Sequence, residues 1–255
     1  MKDWVLILGA SSGIGAACAV EFAKKGYNIF GIYLRKPKNH IEQLTNNIQS
    51  HNVKVIFKKA NAANSDSREQ IIHELKKQKI NVKALVHSLA FGALKPFIHE
   101  NTHEQLTKKN IDMTLDVMSN SLIYWTQDLF QNKLLNTGSQ IISMTSAGNS
   151  KQWDSYGAVS MAKAALESAT RQLAFELAPH KIACNCIQAG VTLTPALEKI
   201  PGYEKMITNA KSNNPHKQLT QTKDISQITV MIGSANHCWM TGNTIKVDGG
   251  ESLTG

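Results

Sequence analysis

"LILGASSGIGAA", residues 6–17, decides the fold of this chain. An apolar run ends at Gly9, and Gly13 and Gly15 follow before an Ala-rich stretch. Glycine lets a turn tighten and lets backbone N–H groups approach a phosphate at the positive end of a helix. The spacing is Gly-x-x-x-Gly-x-Gly, not the G-x-G-x-x-G of the ordinary dinucleotide fingerprint. Placed between a first strand and a first helix, it predicts a pyrophosphate cradle. The contacts expected there are Gly9, Ser11, Ser12, Gly13, Ile14 and Gly15.

The rest of the chain continues the pattern. Apolar bursts at 4–9, 28–33, 53–57, 83–88, 139–146, 181–188 and 243–249 read as strands. Helix-like stretches lie between them at 14–25, 65–79, 112–134 and 155–178. Strands alternating with helices predict βαβ units. The expected fold class is α/β: a doubly wound Rossmann sheet, mostly parallel, of about seven strands with helices on both faces. No repeat, linker or low-complexity tract interrupts residues 1–255, so a single dinucleotide-binding catalytic domain is expected. Residues 191–222 differ. They carry Pro195, Pro201, Gly202 and Pro215 and read as short helices and loops, a lid segment over the substrate.

Composition narrows the function classes. With 42% hydrophobic and 18% charged residues the chain is globular. The net charge of +9 comes from scattered lysines. That argues against nucleic acid and leaves two readings open: a field steering an acidic or phosphorylated partner, or a plain solvated surface. The four cysteines show no C-x-x-C pair, as in a reduced cytoplasmic protein. The uncharged run from Trp4 to Val20 resembles a signal core, but its Gly/Ser-rich centre fits the cradle better, and no membrane span is expected.

Two further stretches bear on ligands. After the second strand, "GIYLRKPK" lacks the acidic residue that a free ribose 2′-hydroxyl attracts. Arg35, Lys36 and Lys38 stand there instead, which suits the 2′-phosphate of NADPH, with NADH as the alternative. "HENTH", His99 to His103, matches the H-E-x-x-H zinc pattern. Asn101-Thr102 reads as a helix cap that would split the two histidines, so no metal is expected.

The sequence resembles the short-chain dehydrogenase/reductases over nearly its full length. The resemblance rests on "GASSGIG", "VHSLA", Ser146 after strand five, the Tyr156/Lys163 helix, "QAGVTLT" and the terminal "VDGG". Four departures narrow it: "HSLA" at His87–Ala90, Ala189-Gly190 after strand six, Asp116 in place of the helix-borne asparagine, and Tyr156 seven residues before Lys163. These are similar to the enoyl-acyl carrier protein reductases of bacterial fatty-acid synthesis, in their NADPH-using form. The resemblance implies Tyr156, Lys163 and Ser146 as catalytic residues. It implies cofactor contacts from Asn61, Ala62, Ser88, Leu89, Lys163, Val191 and Thr194, and substrate contacts from Gly92 and Tyr156. It also implies an acyl carrier protein bearing an enoyl thioester as partner, and a homotetramer. Some members carry a second tyrosine soon after strand five; here the stretch reads "TSAGN".

The spacing has a geometric meaning. Seven steps of about 100° fall some 20° short of two turns, so both side chains share one helix face. The axial rise is about 10.5 Å rather than the 6 Å of a four-residue spacing. Ketone reduction adds hydride to the carbon that bears the protonated oxygen. Enoyl reduction adds it to the β-carbon, and charge collects on an oxygen three bonds away. A tyrosine moved along its helix suits the second case, as an oxyanion donor. The expected function is reduction of the trans-2 double bond of enoyl-acyl carrier protein thioesters. The alternatives are a short-chain reductase of enoyl/dienoyl-CoA or β-keto substrates, and a catalytically dead dinucleotide-binding scaffold.

Overall fold

Alternate residues of β1 (Trp4–Leu8) belong to different cores. Leu6 and Leu8 pack on one side of the sheet, Val5 and Ile7 on the other. This period of two is what a strand covered on both faces requires. The computed structural model describes residues 2–254.

The strands β2 (Asn28–Tyr33), β3 (Val55–Lys59), β4 (Val82–His87), β5 (Leu135–Ser146), β6 (Ala183–Ala189) and β7 (Thr244–Val247) complete the sheet. All pairs are parallel, in the order β3-β2-β1-β4-β5-β6-β7. The order reverses between β1 and β4, and ligands in such sheets bind beyond the strand C-termini at that point.

One face is covered by α1 (Gly13–Lys24), α2 (Lys38–Gln49) and α8 (Thr222–Gly233), which bury Phe22, Ile48 and Ile225. The other carries α3 (Ser65–Lys77), α5 (Ser121–Gln131) and α6 (Gly157–Leu177), with Leu75, Trp125 and Leu166 inward. The Asn64 side chain caps α3 by accepting from Ser67 N at 2.9 Å, and Lys76 and Lys77 close its last turn. Both devices satisfy or complement the exposed helix ends.

Several expectations need correction. The helix foreseen at 112–134 is three pieces: α4 (Lys108–Leu115), a π-helical turn Asp116–Asn120, and α5. It starts earlier because Thr107 and Asn110 form a reciprocal cap, and it stops at Gln131 because Leu134 and Leu135 turn into the core and β5. Two helices went unread. In α2, Ile41, Leu44 and Ile48 recur at helical spacing in a polar setting, and α8 opens with a Gln221/Asp224 capping box. No helix starts at Asn101; residues 97–105 are turns. The histidine motif therefore lacks its helix for a different reason than a cap, and no metal-binding cluster occurs among the described residues.

All four cysteines are free, and Cys18, Cys184 and Cys186 are buried. Among the described residues no helix is long and apolar enough to cross a membrane.

Candidate active site

The turn between β1 and α1 admits no side chains at two of its glycines. A Cβ on Gly9, where φ is +84°, would stand 2.4 Å from Ser88 O. A Cβ on Gly15 would stand 2.2 Å from Gly9 O. The ends of β1 and β4 and the start of α1 thus meet backbone to backbone. The amides of Gly9 and Ala10 both reach Ile32 O at 3.0 Å, tying in β2. Ser12, the N-cap residue of α1, makes no side-chain cap bond. The unpartnered N–H groups of that first turn form a site for a negative group. Ser11 is buried, and its carbonyl lies 2.7 Å from His40 Nε2. These features fit a dinucleotide pyrophosphate.

Arg35 and Lys36 follow β2. Arg35 is exposed and stacks on the Phe91 ring at 3.7 Å, while Lys36 is half-buried. At the end of β3, the buried Ala62 gives its carbonyl to Trp125 Nε1 at 2.8 Å. Asn61 Oδ1 accepts from Ala63 N at 3.1 Å. Asn61 lies on a separate surface depression with Arg68 and Tyr124.

A cavity of about 450 Å³ opens beside the cradle. Ile14, Ser88, Leu89, Gly92, Ser146, Tyr156, Lys163, Val191 and Thr194 all line it. The structure brings these expected site residues together, whereas Gly9, Arg35, Lys36, Asn61 and Ala62 stand outside its wall. A dinucleotide is long enough to need both regions.

Tyr156 is not inside the helix, as the shared-face reasoning supposed, but one residue before it, at the N-cap of α6. Its ring lies against Gly148, where a Cβ would come within 2.4 Å of Tyr156 Cε1 and 3.3 Å of Ser146 Oγ. Burial raises the phenol above its ordinary pKa, and the nearby Ser146 hydroxyl opposes the shift. That hydroxyl has no well-formed hydrogen bond of its own among the described residues. Lys163, in the second turn, is buried and donates to Met144 O at 2.6 Å. Burial pulls its ammonium down to about 8, opposed by neighbouring Cys186 and Glu167. A cation so weakly held is responsive to what binds next to it.

Residues 191–213 roof the cavity. Leu197, Ile200, Met206 and Ala210 face it from a 3-10 turn (Leu197–Lys199), the residue after it and α7 (Tyr203–Asn213). The opposite wall includes Leu94, Met118 and Val159. The site thus pairs a polar corner with an apolar chamber.

A family model described as enoyl-(acyl carrier protein) reductase matches residues 9–252. The chain belongs to the enoyl-(acyl carrier protein) reductase family. The enoyl-acyl-carrier-protein reductase (NADH) of Enterococcus faecalis is 27% identical over 252 residues, covering 98% of this chain and 97% of that protein. The Escherichia coli enzyme of the same name is 23% identical, with 98% and 94% covered. Among solved structures, the enoyl-acyl-carrier-protein reductase (NADH) of Aquifex aeolicus superposes with a TM-score of 0.85 at 22% identity, covering 99% and 97%. A 3-oxoacyl-acyl-carrier-protein reductase from Brucella melitensis reaches 0.86 at 20% identity, covering 100% and 99%. Both show the same fold.

Within this reductase, one expected substitution is misplaced. Asp116 opens the π-helical turn but faces outward, beside Met113 and Val117, and does not line the main cavity. From this segment Met118 lines the cavity, and the buried Ser121 beyond the turn has its Oγ 2.8 Å from His87 Nε2. Ser121 donates its own proton to Val117 O at 2.8 Å, so His87 Nε2–H donates to Ser121. Burial, aided by the Lys163 charge, lowers His87 to about 3, which keeps it neutral. Sequence reading also missed the contact of Glu251 with Val191 N at 3.0 Å and that of Trp153 Nε1 with Pro201 O at 3.0 Å. Neither has a local signal, because each joins segments about 50 residues or more apart.

Proposed function

We propose that this reductase saturates the trans-2 double bond of an enoyl thioester carried on acyl carrier protein. The observation that carries the reading is the placement of Tyr156 and Lys163. Seven residues apart, they line one cavity whose other walls are apolar enough for an acyl chain. The nicotinamide dinucleotide supplies the hydride when bound. Tyr156 donates its hydroxyl hydrogen bond to the enolate oxygen, and Lys163 holds the nicotinamide ribose and keeps the local field positive. Ser146 orients the Tyr156 hydroxyl. The cradle at Gly9–Gly15, with Ser88 and Leu89, would hold the pyrophosphate, and Val191 and Thr194 would hold the nicotinamide half. Asn61 and Ala62 would take the adenine end, and Gly92 would leave room for the thioester.

NADPH is the preferred cofactor. Arg35 and Lys36, with no carboxylate beside them in the loop, support a 2′-phosphate, although the Enterococcus and Escherichia relatives are named for NADH. Residues 191–222 act as the lid. The +9 net charge suits an acidic carrier protein. The working form is a cytoplasmic homotetramer.

A steady-state assay crossing NADPH and NADH with crotonyl and β-ketobutyryl thioesters, on carrier protein and on CoA, tests the reading. Oxidation of NADPH with the crotonyl carrier-protein substrate supports it. Turnover of the β-keto substrate alone would replace it with ketone reduction. No turnover of either would leave a dinucleotide-binding scaffold.

A further inference from the structure

Glu167 stands four residues after Lys163 on α6, and is 9% exposed. Residues four apart are neighbours on one helix face. Its Oε1 accepts from Thr145 Oγ1 and from Asn149 Nδ2, both at 2.7 Å, and its Oε2 lies 3.5 Å from Thr244 Oγ1. Three donors from β5, the turn after it and β7 thus converge on one carboxylate. No ion pair reaches it among the described residues. Burying a charge is unfavourable unless hydrogen bonds and a counter-charge compensate. The hydrogen bonds are present. Two cations stand four residues from it on α6: Arg171 is exposed, whereas Lys163 is buried, its Nζ held by Met144 O, one residue from Thr145 on the same strand.

We infer that Glu167 is a positioning residue for Lys163, a buried carboxylate that keeps the ammonium charged in a site that strips it of water. The inference rests on the role proposed above for Lys163. Other titratable groups face this lysine from the elements packed around it. Cys186 on β6 is a thiol that burial pushes to about 11, so it is uncharged at neutral pH. His87 on β4 is neutral. Tyr156, before α6, is a phenol raised by burial. Glu167 is the carboxylate on the lysine's own helix face, while Glu251, which lines the same cavity as Lys163, accepts from Val191 N at 3.0 Å.

The sign follows directly. Lys163 carries its charge below about 8 and loses it above. Removing a nearby negative charge lowers a lysine further, so the alkaline limit of cofactor binding should fall. A residue that only pinned β5 and β7 to α6 would lower the melting temperature and leave that limit in place.

The test is a pH titration of NADPH binding by cofactor fluorescence, alongside kcat/KM for a crotonyl thioester. The proteins are wild type, Glu167→Gln and Glu167→Asp. Glu167→Gln should shift both alkaline limbs down by about one pH unit, the scale of one close opposite charge, with little change in thioester KM. Glu167→Asp should recover part of the shift. If Glu167→Gln does not fold, Glu167→Asp carries the test, since its shorter side chain draws the carboxylate back from the lysine and should shift both limbs down by less than about one pH unit. Unmoved limbs in the variants that fold would overturn the inference, and so would a wild type whose NADPH binding has no alkaline limb. Binding needs no substrate. A wild type that binds NADPH but leaves the thioester untouched therefore refutes the proposed reaction and still tests Glu167.

Discussion

The Arg35 guanidinium lies 3.7 Å from the centre of the Phe91 ring. Arg35 follows β2 and Phe91 follows β4, so this cation–π contact joins two sides of the cofactor cleft. A stacked guanidinium keeps its edge N–H groups free for a phosphate. Changing Arg35 and Lys36 together to alanine should raise the KM for NADPH at least ~10-fold, since a hydrogen bond to a charged group is worth about 1.5–3 kcal/mol. NADH turnover should stay near wild type. Equal losses with both cofactors, in initial-rate measurements, would remove the 2′-phosphate assignment.

Tyr156→Phe should lower kcat for an enoyl thioester by about 10²–10³-fold, the usual cost of one oxyanion donor, and leave NADPH affinity intact. Lys163→Ala should weaken NADPH binding as well. Restoring a four-residue spacing with Val159→Tyr is a poor complement to these variants. Val159 is 5% exposed and packs with Met118 and Ala162, so a tyrosine there would overfill the wall. Fluorescence titration of Tyr156→Phe decides the matter: weaker cofactor binding would mean the phenol holds the cofactor rather than the substrate.

Gly15→Ala should abolish cofactor binding and destabilise the fold. The added methyl would lie 2.2 Å from Gly9 O, a backbone atom that cannot swing away. Overpacking of this kind costs about 1–3 kcal/mol. Thermal melts with and without NADPH should show a lower Tm and no stabilisation by cofactor; an unchanged melt with normal cofactor protection would contradict the close-packed cradle.

Limited proteolysis of the apo protein should cut within residues 191–222, and NADPH should slow the cut. Hydrogen bonds tie the segment to the rest of the chain near its ends and middle, from Trp153 to Pro201, from Val191 N to Glu251 and from Asn214 to Asp248 O, while much of α7 is exposed. Ligand-binding segments are drawn from the less stable parts of a fold. Cleavage elsewhere, or at the same rate with cofactor, would deny the lid role.

The parallel sheet and its cradle were legible because β1 and the glycines carry local signals: a short apolar run and residues without side chains. That Tyr156 and Lys163 line one cavity agrees with the expected pairing, but the helix geometry used to argue it does not hold, because α6 begins only at Gly157. What escaped was set by distant partners. The π-helical turn at Asp116–Asn120 places Ser121, not Asp116, toward His87, and nothing in "LDVMSNS" marks where an extra residue enters the turn. The helix α2 hid because two buried isoleucines, Ile41 and Ile48, sit among polar residues. Glu167 carries no local signal, because its donors Thr145, Asn149 and Thr244 come from other parts of the chain.

The buried thiols have a practical consequence at the bench. Burial pushes Cys18 to about 12 and Cys186 to about 11, and raises Cys184 too, so none forms the thiolate that alkylating reagents attack. Cys238 alone of the four is half-exposed. The native protein therefore comes with a single labelling handle, in the loop before β7. Maleimide probes should attach once per chain without any cysteine being engineered, and a second label should appear only when the protein is unfolded.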